Sequence, residues 1–314
     1  MKPDRGLAAG IVLAVLIGAG VAIQSRVNGE LGTRLHDGIA AAALSVGGGL
    51  VLLALLVPAL PAGRRGLAAL RVALRDGKLR WWQCTGGVCG ALYVVSQGVT
   101  AAALGVAVFT VAIVAGQSAS GLLMDRAGIG PAGRHALTGT RVVGATLSVV
   151  AVLVAVSGQF GTPKALALAV LPALAGAGGS WQTAVNGQVR AHAGAALPAA
   201  FVNFAAGCTS LLIALTVDLA VRGRPAPLPR TGWLYLGGGM GVVFIAVAAA
   251  IVHRTGVLLL GLGTIAGQLA GAVAIDEFVP GRHPRPGAPA LAGTALTLLA
   301  VGIAVLPRRR HAQL

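Results

Sequence analysis

A chain of 314 residues with 56% hydrophobic and only 10% charged positions cannot cover its surface with water-seeking groups, since soluble domains carry about 25% charged residues. Its solvent is largely lipid, which excludes an ordinary soluble enzyme or binding module. The net charge of +16 lies in loops and tails between apolar runs, with few aromatics among the basic residues, so it reads as a topology signal and not as a nucleic-acid surface.

Crossing a bilayer takes about 20 mostly apolar residues. Reading runs between charged or Pro/Gly-rich breaks predicts ten spans: 7–27, 38–60, 81–101, 104–124, 137–157, 164–184, 196–218, 233–252, 255–278 and 289–307. The first run follows Lys2 and Arg5 as a signal peptide would, but its counterpart at 164–184 is internal, so a membrane span is expected. The third and fourth spans of each half are separated by Ala102-Ala103 and by His253-Arg254, which predicts two tight helical hairpins. The connection 61–80 mixes Arg64, Arg65, Arg71, Arg75, Lys78 and Arg80 with Leu67, Leu70 and Leu74. It reads either as an amphipathic helix on anionic headgroups or as a solvated basic loop.

Two polar signatures recur in the same order. Gln24, Val27, Asn28 and Gly29 return as Gln182, Val185, Asn186 and Gly187, offset by 158. Ala115-Gly-Gln117 returns as Ala266-Gly-Gln268, offset by 151, and each leads to an aspartate, Asp125 and Asp276. The loop 61–80 is longer than 219–232, which accounts for most of the difference between the offsets. An internal duplication follows, with five-helix units at 1–158 and 159–314. Five spans per unit make the second enter from the opposite face, so the expected fold is all-α, ten helices in two inverted-topology repeats. Lys2, Arg5, the basic loop 61–80 and Arg308–Arg310 place both termini in the cytoplasm by the positive-inside rule, against Arg222, Arg224 and Arg230 on the other side.

Ionisable groups within a bilayer are the default functional suspects, and few are present. Asp125, Asp276 and Glu277 close spans; Asp125 and Asp276 read either as interfacial anchors or as groups that titrate in a vestibule. Arg141, one turn into the fifth span, either snorkels to the interface or contacts an anionic group; its counterpart is Ala290. The uncharged polar groups say more. Gln117 and Gln268 each lie twelve residues into a span, about 18 Å deep at 1.5 Å per residue, which suits either a binding site at the repeat interface or an interhelical hydrogen bond, and Asn203 is similarly deep, with Ser45 as its counterpart. Gln24 with Asn28, and Gln182 with Asn186 beside Trp181, sit four apart on one helix face. Asn-Gly also suits a left-handed helix stop. Inversion puts these two pairs toward opposite membrane faces, as two gates require. Gly86/Gly90, Gly237/Gly241 and Gly267/Gly271 have the spacing that lets helices approach closely.

The residues Gln24-Ser-Arg-Val-Asn-Gly29, Ala115-Gly-Gln117 through Asp125, and Arg141-Val-Val-Gly144 resemble the YdcZ-type bacterial inner-membrane proteins of the drug/metabolite transporter superfamily. Such proteins are five-helix units, and this chain is similar to two in tandem. The resemblance implies an inner-membrane secondary transporter that exports a small metabolite or drug-like molecule by alternating access, coupled to H+ or Na+, without a cofactor. No Gly-x-x-x-x-Gly-Lys-Ser/Thr phosphate loop occurs. Two other readings compete. A membrane scaffold needs no polar groups along a path. A membrane-embedded enzyme needs a nucleophile, metal ligands or an acid–base pair; His36, His135, His192, His253, His283 and His311 lie near loops or tails and do not cluster with carboxylates, and the three cysteines (Cys84, Cys89, Cys208) form no Cys-x-x-Cys. The expectation is no catalytic residue and no metal, with a small-molecule substrate, membrane lipid and no nucleic acid as partners.

Overall fold

The computed structural model describes residues 5–130, 133, 139–157, 163–279 and 286–305, and among these it is helical throughout, with no strand. The helices are α1 (Arg5–Leu35), α2 (Gly38–Ala59), α3 (Pro61–Arg75), α4 (Gly86–Ser96), the single turn α5 (Ala102–Leu104), α6 (Val106–Ala127), α7 (Gly139–Val156), α8 (Pro163–Ala193), α9 (Ala196–Arg222), α10 (Gly237–Phe278) and α11 (Ala288–Val305). A 3₁₀ turn, Trp81–Thr85, leads into α4, and a π-helical turn, Gln97–Ala101, joins α4 to α5.

Among the described residues, five helical stretches are long and apolar enough to cross a membrane: Ala8–Leu35, Gly38–Ala59, Trp81–Leu104, Val106–Met124 and Ala196–Arg222. Val142–Val156, Gly237–Ala248 and Ala288–Ile303 are shorter apolar helices. Large apolar side chains face outward along them, among them Leu55, Leu153, Ile213 and Val217. Such a surface is stable against acyl chains and not against water.

Several boundaries differ from those expected. The Asn-Gly pairs do not stop their helices. α1 runs on to Leu35, where His36 takes the left-handed conformation (φ 53°), and Asp37 caps α2 by accepting the Ile39 and Ala40 N–H groups at 2.8 and 2.9 Å. α8 likewise passes Asn186 and ends at Gly194, φ 67°. The segment 61–80 is a helix over Pro61–Arg75, with proline at its start, where a missing N–H is harmless.

The first hairpin turns at Gly105, whose φ of 83° favours glycine. Asp276 Oδ1 and Oδ2 accept the Val106 and Ala107 N–H groups at 2.9 and 2.7 Å. This carboxylate, 2% exposed, thus caps α6 from the other half of the chain and sits at the positive end of its dipole. Where an interfacial anchor was expected, the structure shows a buried cap.

α10 is assigned as one helix of 42 residues, which would extend about 63 Å if straight. Its contacts show that it doubles back. Gly237 lies by Asn28, Gly241 by Gln24 and Gly20 by Phe244, running down α1; Gly263 then lies by Ala14, Gly267 by Val15 and Gly271 by Ala19, running up it. α8 receives the first hairpin in the same way: Gly86 by Asn186, Gly90 by Gln182 and Gly178 by Cys89, then Gly116 by Ala173 and Gly179 by Gln117. The opening helix of each half therefore packs on the hairpin of the other.

The same offsets govern these contacts. A Cβ on Gly87 would overlap the Asn203 carbonyl oxygen, and one on Gly238 would overlap that of Ser45. The glycines are 151 residues apart and their partners 158. Gly116 against Ala173 and Gly267 against Val15 repeat the relation.

Candidate functional site

α1 and α8 each present a glutamine and an asparagine one turn apart, and each pair rests on two glycines one turn apart in the opposite half. Asn186 and Gln182 lie over Gly86 and Gly90; Asn28 and Gln24 lie over Gly237 and Gly241. Without side chains on the glycines, the amides reach the opposing backbone, and Gln24 Nε2 donates to the Gly237 carbonyl at 2.6 Å. The Gln-x-x-x-Asn and Gly-x-x-x-Gly patterns are thus two sides of one contact, made twice.

From there the two ends diverge. At the first, Asn28 Nδ2 donates to Gln97 Oε1 at 2.7 Å, and Gln97 Nε2 donates to Ser25 Oγ at 2.8 Å. Ser25, Asn28 and Gln97 are all 0% exposed. Asn28 Oδ1 is buried without a hydrogen-bond partner. Gln97 sits in the π-helical turn, a feature frequent at functional sites. A Cβ on Gly32 would overlap the Gly98 carbonyl oxygen and one on Gly38 the Val99 side chain, so their absence lets that turn seat on α1 and α2.

At the second, Gln182 Nε2 and Asn186 Nδ2 both donate to Asn203 Oδ1, at 3.1 and 2.9 Å. All three are partly exposed. Trp181 stacks on Trp82, ring centroids 5.6 Å apart and planes 33° apart, forming an aromatic wall beside the amides. Gly87, at this cluster, and Gln97, at the other, are ten residues apart on one helical run, about 15 Å along its axis.

Tyr93 lies between them on that run. Gln268 Nε2 donates to its hydroxyl at 3.3 Å, and its ring meets Phe109 edge-on at 6.1 Å between centroids. Gln268 is 6% exposed. Gln117 is half-buried beside Gly179, and Ser180 Oγ donates to its carbonyl oxygen at 2.8 Å. Gln117 and Gln268 thus face opposite halves without touching each other. The result is a seam of uncharged hydrogen-bonding groups along α4, with Ser25, Asn28 and Gln97 fully buried at one end and partly exposed amides at the other. Such groups can orient a small polar molecule without a charged side chain in lipid.

Of the residues singled out in the sequence, Asn28 and the partly exposed Gln24 join the buried end, Gln182, Asn186, Asn203 and Trp181 the partly exposed end, and Gln268 the middle. The Arg141 and Asp125 side chains lie outside the described residues. Ala290, the counterpart of Arg141, sits in an apolar cluster with Leu104, Val108, Val156 and Ala169. Ser25, Tyr93, Trp82 and Gln97 join the seam without having been anticipated. Among the described residues no three His, Cys, Asp or Glu side chains are grouped as metal ligands.

The model of one protein family, described as "Putative inner membrane exporter, YdcZ", matches residues 9–154 and again 167–305. The chain belongs to the YdcZ family. The double match makes it a tandem form, each half a YdcZ unit, and the family's description places it in the inner membrane and points to transport in preference to catalysis. No curated protein matches the chain.

Proposed function

We propose that this YdcZ-family protein is a secondary transporter with ten transmembrane helices in two inverted five-helix repeats, 1–158 and 159–314. It exports a small metabolite or drug-like molecule by alternating access, with both termini in the cytoplasm. The contact of each opening helix with the other half's hairpin, repeated at offsets of 151 and 158, is the observation that carries this reading. Inversion has further support in helix direction: α6 runs with α8, the second arm of α10 runs with α1, and α6 and that arm run against each other, from Val106–Asp276 to Val111–Leu269. The substrate occupies the seam, held by Gln117, Gln268 and Asn203. The Gln24/Asn28 and Gln182/Asn186/Trp181 clusters act as the two gates, the first closed and the second part-open in this structure.

The test has two arms. Reporter fusions before Arg5 and within 158–162 should fall on opposite sides of the membrane; the same side for both ends the inverted arrangement. A metabolite screen by thermal shift, followed by flux in liposomes with and without a proton or sodium gradient, should return a transported ligand. A ligand that binds without crossing would convert the reading to a receptor or scaffold.

A further inference from the structure

We infer that the cavity between α3 and the α8–α9 junction is a binding site for the headgroup of an anionic phospholipid. The cavity, about 330 Å³, is lined on α3 by Ala62, Arg65, Gly66 and Ala69, and opposite by His192, Gly194 and neighbouring alanines. Its walls are nearly all alanine or glycine, so the space exists because side chains are missing, and Arg65 and His192 are its only ionisable groups.

Arg65 presents free donors to it, and His192 a free ring nitrogen. Among the described residues, the one bond of the Arg65 guanidinium is a long 3.4 Å donation from Nε to the Pro61 carbonyl, which leaves its terminal nitrogens for a ligand. His192 Nδ1 lies 2.9 Å from the Gln188 carbonyl. A carbonyl only accepts, so Nδ1 carries the hydrogen, and Nε2 of the neutral ring faces the cavity as an acceptor, suited to a headgroup hydroxyl such as phosphatidylglycerol's. An arginine fork is suited to the paired oxygens of a phosphate. Around the site Arg64, Arg71, Arg75, Lys78, Arg80 and Arg190 are exposed, and Asp76, bound to Lys78 at 3.4 Å, is the acid on α3's own connection.

Position selects a lipid over a free anion. α3 follows the membrane helix α2 after Leu60 alone, so it lies where acyl chains give way to headgroups. Arg65, Ala69 and Val72 share one stripe of the helix (i, i+4, i+7), and Val72 is 55% exposed. Cation, small-walled cavity and exposed apolar surface thus follow one another along a line, as phosphate and acyl chain do. Gly66 fixes the geometry: a Cβ there would meet Pro198 Cγ at 2.5 Å and the Ala193 carbonyl at 3.0 Å, so α3 could not seat against the junction.

The test uses the full chain. Native mass spectrometry and thermal unfolding are run with phosphatidylglycerol, phosphatidylcholine or inorganic phosphate. The wild type should retain phosphatidylglycerol over phosphatidylcholine, and inorganic phosphate should not displace it. Arg65→Gln should lower that preference about tenfold, as loss of a charge-assisted bond does. Ala69→Leu, which fills the cavity and keeps every charge, should lower it comparably. Arg71→Gln, about 120° away around α3, should change it by about twofold or less. Should Arg65→Gln not fold, Arg65→Lys, keeping most of the preference, and Ala69→Leu, losing it, decide the matter. Equal losses for Arg71→Gln and Arg65→Gln would mean diffuse attraction and overturn the site, as would no loss in Ala69→Leu. Displacement by inorganic phosphate would assign the cavity to a soluble anion and overturn the lipid.

Discussion

Asn28 donates a 2.7 Å hydrogen bond to Gln97, and the second half of the chain holds Ala248 where the first holds Gln97. Asn186, the repeat of Asn28, turns instead to Asn203, whose own counterpart is Ser45. Two copies of one contact have thus acquired different third partners, one fully buried and one partly exposed. The two ends therefore differ in burial although the glycine contacts beneath them are repeated.

Removing the third partner should loosen the buried end. Gln97→Ala strands Asn28 Nδ2, whose Oδ1 is already without a partner, and should cost about 1–3 kcal/mol. In a background lacking Cys84, Cys89 and Cys208, a cysteine replacing Ser25 should then react with a membrane-impermeant thiol reagent severalfold faster than with Gln97 present. Equal labelling rates would show that Gln97 does not seal that end.

The paired glycine contacts make a symmetric prediction. Gly87→Ala and Gly238→Ala each drive a methyl group into a facing carbonyl oxygen and should each destabilise by about 1–3 kcal/mol. Gly239, one residue on, has nothing within 4 Å of its Cβ position, so Gly239→Ala should be neutral or stabilising by up to about 1 kcal/mol. Melting temperatures in detergent separate the two classes; a similar drop for all three would mean that helix contact is not the cause.

Asp276 offers a test of coupling between the halves. Asp276→Ala removes the cap on Val106 and Ala107 and should cost about 1–2 kcal/mol. Asp276→Asn keeps one acceptor oxygen of two and should fall between, with limited proteolysis near Gly105 rising in the same order. Wild-type stability in Asp276→Ala would remove the cap from the account.

Ligand binding should depend on the middle of the seam. Gln117→Ala and Gln268→Ala should abolish thermal stabilisation by a transported ligand while both proteins still insert and fold. Tyr93→Phe, which removes only the oxygen bonded to Gln268, should weaken it about tenfold or less. Unchanged stabilisation in both glutamine variants would take them out of the site.

Much of this protein was legible in its residue order. Lipid as solvent follows from composition, because apolar area must be kept from water wherever it falls. The duplication is legible because copied polar residues keep their spacing, and the offsets 151 and 158 return unchanged in the contacts. The seam was half legible: glutamines and asparagines in apolar runs stand out because lipid makes them costly. Gln97 was missed because it has no copy, and because a π-helical turn has no periodic sequence signal. Asp276 was misread because its partners, Val106 and Ala107, lie about 170 residues away.

Residue order alone therefore determined where this chain lives, how many times its pattern was written, and which side chains are too polar for their surroundings. Only the tertiary structure decided that each half's opening helix packs on the other half's hairpin, that the glutamine–asparagine pairs rest on the glycine pairs, and that Ser25, Asn28 and Gln97 are buried together. The physical reason is range. Solvent preference and helical period are carried by neighbouring residues, whereas a close backbone approach depends on which distant glycine happens to face it.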